Sequence, residues 1–360
     1  MITTMAADKT AAKKISRGFI LPSAAFTIRN GQVKLYKFLD KPPKPGDVVY
    51  GMISRIGQHS SLENASGRIH IIHDGTKAIF VFGNRYAPDY YEGLVPEEMT
   101  DEVDLIARSG VIGIVETKNS LIKDPTKVKV LGYVCDEEDR VLNTRQWPVI
   151  KPKNTVKKEP RSKMILVCGT SMNSGKSMAA AACCWSLSSM GYNVRASKVT
   201  GTAGLKDILL MNDAGANPYA DFTYLGYPST YQLSQEELLV IFNHLDLKYS
   251  NNPKNFWVVE FADGIIQRET AMLLASPQVT SRIYKLIFCA NDAFGAIGGL
   301  RTLKEKFGLV PDALSGLCSS SPLHVRELSA FTDIPVFNST EASVKRLADI
   351  LLSPDNNLPK

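Results

Sequence analysis

Residues 169–177 read GTSMNSGKS, and this short stretch restricts the fold more than any other part of the chain. It follows the apolar run MILVC and opens the alanine-rich stretch SMAAAACCWSL. A continuous apolar run of that length predicts a buried strand, and the stretch after it predicts a helix. A glycine-containing turn between a strand and a helix directs backbone N–H groups and the positive end of the helix dipole at an anion. The sequence therefore predicts an α/β unit with a parallel sheet flanked by helices.

The turn carries the residue types of a phosphate-binding loop. The usual pattern is G-x-x-x-x-G-K-[ST]; here Thr170 stands at the first position and a glycine comes one residue earlier, while the GKS end is intact. Lys176 is expected to pair with the β and γ oxygens of a nucleotide, and the Ser177 hydroxyl to bind Mg²⁺. We predict ATP and Mg²⁺ as cofactors, with the loop residues Thr170, Asn173, Ser174, Gly175, Lys176 and Ser177 holding the nucleotide.

The composition changes at PVIKPKNTVKKEPRSK, residues 148–163, which predicts a basic linker rich in proline and lysine. Before it, β-branched runs such as GDVVYGMISRIG and KAIFVFGN predict a small β-rich domain over residues 1–147, either an OB-like barrel or a sandwich. After it, apolar runs such as MILVC, FWVVE, KLIFCA and IPVF alternate with helical stretches. This alternation predicts a P-loop domain with a parallel sheet over residues 164–360.

The bulk composition favours a soluble globular protein, because 44% of the 360 residues are hydrophobic and 22% are charged. No apolar run approaches the roughly 18–20 residues of a membrane span, and the N-terminus makes a poor signal peptide, so we expect a cytoplasmic protein without a membrane partner. The six cysteines lack the paired spacing of a zinc site, which predicts buried thiols. The basic excess lies before Met164 and is accounted for by the linker and a solvated surface, so nucleic acid is not the expected partner.

Four segments in order resemble dethiobiotin synthetase and the related ATP-dependent amide-forming enzymes of cobyrinate synthesis, over about residues 164–340. The first is the phosphate loop; ASKVTGTAG, MNDAG and WVVEFADG follow it. The resemblance implies that Lys198 reaches phosphate and substrate, and that Asp213 and Glu260 bind Mg²⁺ together with Ser177. Asp207 is a rival to Asp213 as the metal ligand. The resemblance also implies a homodimer that binds a small-molecule substrate.

One segment departs from that family. The family places a glycine-rich stretch after the strand-end acid, whereas this chain has Phe261, Ala262, Asp263 and Gly264. Asp263 would repel a carboxylate substrate unless a cation lies between them. Asp263 is therefore a third catalytic candidate beside Lys176 and Lys198, either binding an amine, hydroxyl or guanidinium group or acting as a base.

The sequence leaves three functions open. The first is an ATP- and Mg²⁺-dependent ligase that phosphorylates a small carboxylate or carbamate so that an amide or a ring can form. The second follows from a weaker likeness, in KVTGT and the strand-end acid, to bacterial P-loop N-acyltransferases of amino-acid metabolism that carry an extra N-terminal domain. The third is a nucleotide switch that changes partners; such ATPases usually have an additional lysine early in the loop, where this chain has Ser171 and Met172.

Overall fold

The computed structural model describes residues 11–16, 18–151 and 156–353. The chain divides into two compact units. The first contains the described residues through Lys151 together with Thr202–Leu205 and Thr223–Ser229, and the second contains the remainder. Two short segments from the second half of the sequence thus belong to the first unit. The predicted domain boundaries at residues 147 and 164 assign both segments to the P-loop domain.

The first unit is built from short strands. They are β1 Lys13–Lys14, β2 Leu35–Lys37, β3 Val48–Arg55, β4 Ser61–Glu63, β5 Ile69–Ile71, β6 Lys77–Phe82, β7 Arg85–Tyr86, β8 Tyr91–Leu94, β9 Glu102–Ala107, β10 Val111–Lys118 and β11 Thr126–Cys135. The pairings β3–β6, β6–β10, β10–β9, β9–β11 and β11–β3 return to their starting strand. Of the two predicted architectures the unit therefore has the barrel, in which β6 and β10 run parallel and the other four pairs are antiparallel.

Both faces of the barrel wall are buried. In β3, Val48 and Tyr50 belong to one apolar cluster and Val49 and Ile53 to another. This is the alternation that a period of two residues imposes on a strand, since successive side chains point to opposite faces. Each face of the wall therefore packs against its own apolar cluster.

The second unit is the predicted P-loop α/β fold. Its strands are β12 Lys163–Gly169, β13 Asn193–Lys198, β14 Tyr219–Asp221, β15 Asn255–Glu260, β16 Ile283–Cys289 and β17 Ala313–Ser315, in the spatial order β14-β13-β15-β12-β16-β17. Every pairing of neighbours in this sheet is parallel. Its helices are α1 Lys176–Ser189, α2 Lys206–Asp213, α3 Gln235–Tyr249, α4 Arg268–Leu274, α5 Pro277–Thr280, α6 Ala293–Phe307, α7 Pro322–Ser329 and α8 Val344–Leu352.

The buried strands follow from their composition, with one exception. The MILVC run is fully buried in β12, and the FWVVE run in β15. The predicted strand IPVF forms only a single bridge, between Leu314 and Val336. Pro335 interrupts that run, and proline has no N–H to donate to a ladder.

The end of the predicted linker is part of the second unit. The Arg161 guanidinium forms a buried ion pair with Asp246 of α3, and the Ser162 N–H donates to the Ser250 carbonyl at 2.9 Å. Residues 152–155 lie outside the described part of the chain. All six cysteines are free and buried, as predicted. Among the described residues, no helix is both long and apolar enough to cross a membrane.

Candidate nucleotide-phosphate site

The phosphate loop joins the carboxyl end of β12 to the first turn of α1, as its sequence predicts. Two residues of the loop have left-handed backbone, Asn173 at φ 60° and Gly175 at φ 92°. A Cβ on Gly175 would lie 2.8 Å from the Gly316 Cα, so only glycine fits at this approach. The Thr170 N–H donates to the Cys289 carbonyl at 2.9 Å, which ties the start of the loop to β16.

Lys176 is folded back over its own loop. Its Nζ donates to the Ser171 carbonyl at 2.6 Å and lies 3.4 Å from the Ser174 Oγ. Burial lowers the pKa of the Lys176 ammonium from its ordinary value, and the nearby Glu260 carboxylate opposes this shift. The ammonium is therefore largely desolvated, and it is satisfied by neutral loop oxygens that a phosphate oxygen can replace.

A second lysine and two carboxylates meet beside the loop. The Lys198 Nζ lies 3.6 Å from Glu260 Oε1 and forms an ion pair with Asp207 at the start of α2. The Ser177 Oγ donates to Glu260 Oε1 at 3.1 Å and also bonds to Asp207. Lys198 and Glu260 are paired across β13 and β15 at their last residues, so the parallel register brings these two side chains together.

The charged groups of this cluster shift one another's pKa values. Burial disfavours the charged form of Lys198, but the Asp207 and Glu260 carboxylates outweigh burial and raise the Lys198 pKa. Burial also opposes ionisation of Asp207, yet the ion pair with Lys198 holds the Asp207 pKa below its ordinary value. For Glu260 burial dominates over the attraction of Lys198, and the pKa is raised. The cluster thus has one well-paired carboxylate and one carboxylate that lacks full compensation.

The residues present fit a bound Mg²⁺ ion. Glu260 Oε2 is buried and has no hydrogen-bond partner, although a buried polar atom normally has one. The Ser177 hydroxyl lies beside the same carboxylate. Within the described residues no group of three or more His, Cys, Asp or Glu side chains could hold a metal ion by itself. A serine hydroxyl and a carboxylate that leave the other positions to water and phosphate oxygens are the ligands typical of nucleotide-bound Mg²⁺.

The geometry favours Asp207 over Asp213 for the metal side of the site. Both aspartates are in α2, but Asp207 is in the first turn and Asp213 is the last residue. Asp207 contacts Ser177 and Lys198, whereas Asp213 is exposed and has no such contact among the described residues.

Asp263 follows β15 by three residues. It is half-buried, its backbone is left-handed at φ 59°, and its carboxylate interacts electrostatically with Lys176 and Lys198. Two further residues of the site, Thr200 and Gly316, were not predicted. Thr200 Oγ1 accepts from the Ala262 N–H at 2.8 Å, and the Ser174 carbonyl accepts from the residue after Gly316.

Arg85 and Tyr91, in the segment FGNRYAPDYYEGLVP, are buried in the first unit. Arg85 is 8% exposed and donates to the Ile106 carbonyl, and Tyr91 is 1% exposed with its hydroxyl bonded to the Lys123 carbonyl at 2.9 Å. Burial lowers the pKa of the neighbouring His59 to about 4. These rings and this guanidinium are core groups of the unit.

No protein-family model matches the sequence, and no curated protein matches it. Solved structures with a similar fold include a ParA family ATPase from Chlorobium tepidum TLS, at 15% identity and a TM-score of 0.34, covering 54% of this chain and 89% of that one. The signal recognition particle receptor FtsY from Elizabethkingia anophelis in complex with GDP has 11% identity and a TM-score of 0.35, covering 58% and 69%. Chloroplast FtsY from Physcomitrella patens has 10% identity and a TM-score of 0.36, covering 57% and 69%.

Proposed function

We propose that the second unit binds a nucleoside triphosphate with Mg²⁺ and cleaves its γ-phosphoryl group. The observation that carries this proposal is the convergence of Lys176, Ser177, Lys198, Asp207 and Glu260 at the carboxyl ends of β12, β13 and β15. In open α/β sheets ligands bind at that edge. Phosphoryl transfer requires positioning and charge compensation more than covalent chemistry, and two lysines with a metal site provide both.

Each group has a distinct task in this proposal. Lys176 exchanges the Ser171 carbonyl for β and γ oxygens, and the loop amides surround the phosphates. Ser177 and Glu260 hold the Mg²⁺, which when bound neutralises charge on the phosphates. Asp207 keeps Lys198 charged and aimed at the site, because the Asp207 carboxylate contributes to raising the Lys198 pKa.

For the use of the nucleotide, we propose a switch in preference to a ligase that activates a carboxylate. A carboxylate acceptor would have to approach Asp263, whose negative charge faces the same two lysines. The chain between Lys198 and Asp207 also passes through Thr202–Leu205, which belongs to the first unit, where the Leu205 N–H donates to Glu63 Oε1 at 2.8 Å. A nucleotide that displaces Asp207 would therefore also act on Leu205, which is two peptide bonds away along the chain and belongs to the first unit.

Calorimetry of the full chain with ATP and with GTP, each with Mg²⁺ and with EDTA, tests the proposal. We expect Mg²⁺-dependent binding, and we expect Lys176→Ala to weaken it about 10- to 100-fold, since a hydrogen bond to a charged group contributes about 1.5–3 kcal/mol. Lys254→Ala is the matched control, because Lys254 is exposed and precedes the opposite end of β15. Absence of binding by the native chain with either nucleotide and Mg²⁺ would refute the proposal.

Substrate-dependent turnover separates the switch from the ligase. A switch hydrolyses slowly without any metabolite, and its proteolysis pattern in the segment 199–207 differs between ATP and ADP. A ligase forms ADP only when its acid substrate is present. ADP formation that depends strictly on an added carboxylate would overturn the preference for the switch.

A further inference from the structure

Asp263 is an acidic side chain beside the phosphate loop to which the proposed metal site assigns no role. Asp207 and Glu260 are both engaged with Ser177 and Lys198, whereas the Asp263 carboxylate interacts with Lys176 and Lys198 from the loop after β15. Both lysines serve the transferred phosphoryl group in the proposed function. Asp263 therefore interacts electrostatically with both groups that would bind the transferred phosphoryl group.

The backbone around Asp263 is held on both sides by the strand and loop that carry the phosphate site. The Phe261 N–H donates to the Val167 carbonyl at 3.0 Å, and the Ile265 N–H donates to the Gly169 carbonyl at 2.9 Å. A Cβ on Gly264 would lie 2.2 Å from the Thr170 carbonyl oxygen, so the chain touches the loop backbone there. Asp263 is thus fixed relative to the start of the phosphate loop.

The residue before Asp263 is fixed independently. The Ala262 N–H donates to Thr200 Oγ1 at 2.8 Å, and the Ala262 carbonyl accepts from Thr270 Oγ1 at 2.8 Å. These bonds hold Asp263 in left-handed backbone at φ 59°. Such backbone costs a non-glycine residue of order 1 kcal/mol, and it persists at functional sites where the surrounding structure over-determines it. Glycine would carry no such cost at this position.

We propose that Asp263 is the general base of the reaction: it holds the attacking oxygen of water, or of a hydroxyl group, in line with the γ-phosphorus and accepts its proton. This inference rests on the proposed function and defines the acceptor class as O–H groups. The attacking oxygen forms a bond to the γ-phosphorus, and the bond from phosphorus to the β,γ-bridging oxygen breaks. Its electron pair leaves on the nucleoside diphosphate, and the acceptor proton passes to an Asp263 carboxylate oxygen.

Charge explains why the acceptor is an O–H group and not a carboxylate. An acceptor carboxylate would add a further negative charge beside Asp263 and the γ-phosphate, at lysines that Asp207 and Glu260 already neutralise in part. A hydroxyl brings no charge, donates one hydrogen bond to Asp263 and keeps a lone pair for attack. A positioned base of this kind contributes typically 10²- to 10⁴-fold to a rate.

The test compares Asp263→Asn and Asp263→Gly with the native chain. Both replacements tolerate left-handed backbone, so thermal unfolding should show that both variants fold. We expect the affinity for MgATP to change less than threefold while the rate of ATP hydrolysis falls at least 100-fold. We also expect azide or formate, as an external base, to restore part of the rate in Asp263→Gly but not in Asp263→Asn, where the amide fills the space. Asp139→Asn is the matched control, because Asp139 is also left-handed at φ 60° and lies in the first unit.

A transition-state mimic gives a second readout. MgADP with aluminium fluoride holds a water molecule where the attacking oxygen lies, so Asp263→Asn should weaken that complex at least tenfold while MgADP alone binds normally. Native hydrolysis rates in either variant would overturn the inference and leave the proposed function standing. Binding of MgATP by the native chain without any hydrolysis would overturn it as well, because water is an O–H acceptor. Failure of the native chain to bind MgATP would overturn the proposed function itself.

Discussion

Removal of the Lys198 ammonium offers a quantitative test of the charge cluster. The side chains of Lys198 and Glu260 are 11% and 2% exposed, and that of Asp207 is 29% exposed. Lys198→Met keeps the length of the side chain and leaves two carboxylates without their common cation. Breaking a buried pair in this way costs about 3–5 kcal/mol. Because Asp207 is partly exposed, we expect about 3 kcal/mol, which lowers the Tm by roughly 6–12 °C for a domain of this size.

Mg²⁺ should raise the Tm of Lys198→Met more than it raises the Tm of the native chain. The two carboxylates and Ser177 then attract the ion without competition from an ammonium group. If the Kd for Mg²⁺ is about one-tenth of the added Mg²⁺ concentration, binding stabilises the folded variant by about 1.4 kcal/mol. This stabilisation raises the Tm by roughly 3–6 °C. Lys285→Met is the matched control, since Lys285 and Asp312 form another buried pair, at 3.0 Å, with side-chain exposures of 1% and 8%. That variant should be destabilised without any rescue by Mg²⁺.

The assay is thermal unfolding with Mg²⁺ and with EDTA at about pH 7.5. The Lys198 pKa is raised in the folded chain, so the stability that its ion pairs contribute is complete below the ordinary lysine pKa of about 10.4 and is lost only as the pH rises past it. At the assay pH the whole effect is therefore measured. A native-like Tm for Lys198→Met, or equal Mg²⁺ rescue of Lys198→Met and Lys285→Met, would refute the reasoning.

Three other results are expected. Asp207→Ala should weaken MgATP binding about 10- to 100-fold in calorimetry, because removing a group that orients a metal ligand usually has an effect of this size. Asp213→Ala should change the affinity less than about twofold. A larger effect of Asp213→Ala than of Asp207→Ala would return the metal role to Asp213. Gly316→Ala should lower the Tm and weaken MgATP binding, because its Cβ would lie 2.2 Å from the Ser174 carbonyl oxygen at φ 93°; native binding would show that the loop adapts. The Asp207 pKa is depressed, so the stability that its carboxylate contributes is present above the ordinary aspartate pKa of about 3.9 and is lost as the pH falls. The Tm of the native chain and of Asp207→Asn, measured over a series of acidic pH values, tests this expectation.

The phosphate loop could be predicted because its determinants are contiguous. The MILVC strand, the GKS turn and the first helical turn follow one another within about 20 residues, so no distant contact has to be known. The start of α3 is determined locally as well, because Ser234 and Glu237, three residues apart, form a capping box. Gly316 escaped prediction for the opposite reason: it matters through its contact with Ser174, more than 140 residues earlier, and its own neighbourhood carries no motif.

The choice between Asp207 and Asp213 shows where local patterns stop being informative. Both residues suit a metal site, and both belong to the chain after β13. What separates them is the point at which α2 begins, and that point follows Thr202–Leu205, whose fold is set by partners in the first unit such as Glu63. A sequence window around α2 contains no trace of Glu63.

Lys198 and Glu260 were predictable for a physical reason that applies beyond this chain. Parallel strands start at one edge of the sheet and end at the other, so polar residues that directly follow buried runs are brought together whatever loops lie between them. The register pairs Lys198 with Glu260 across β13 and β15, although 61 residues separate them in the sequence. Asp263 lies three residues past the strand, where register no longer acts and hydrogen bonds to Thr200 and Gly169 decide its place. The charge at position 263 could be read from the sequence, but its electrostatic interaction with Lys176 and Lys198 depends on the fold. That interaction separates the proposed base from a solvated loop aspartate.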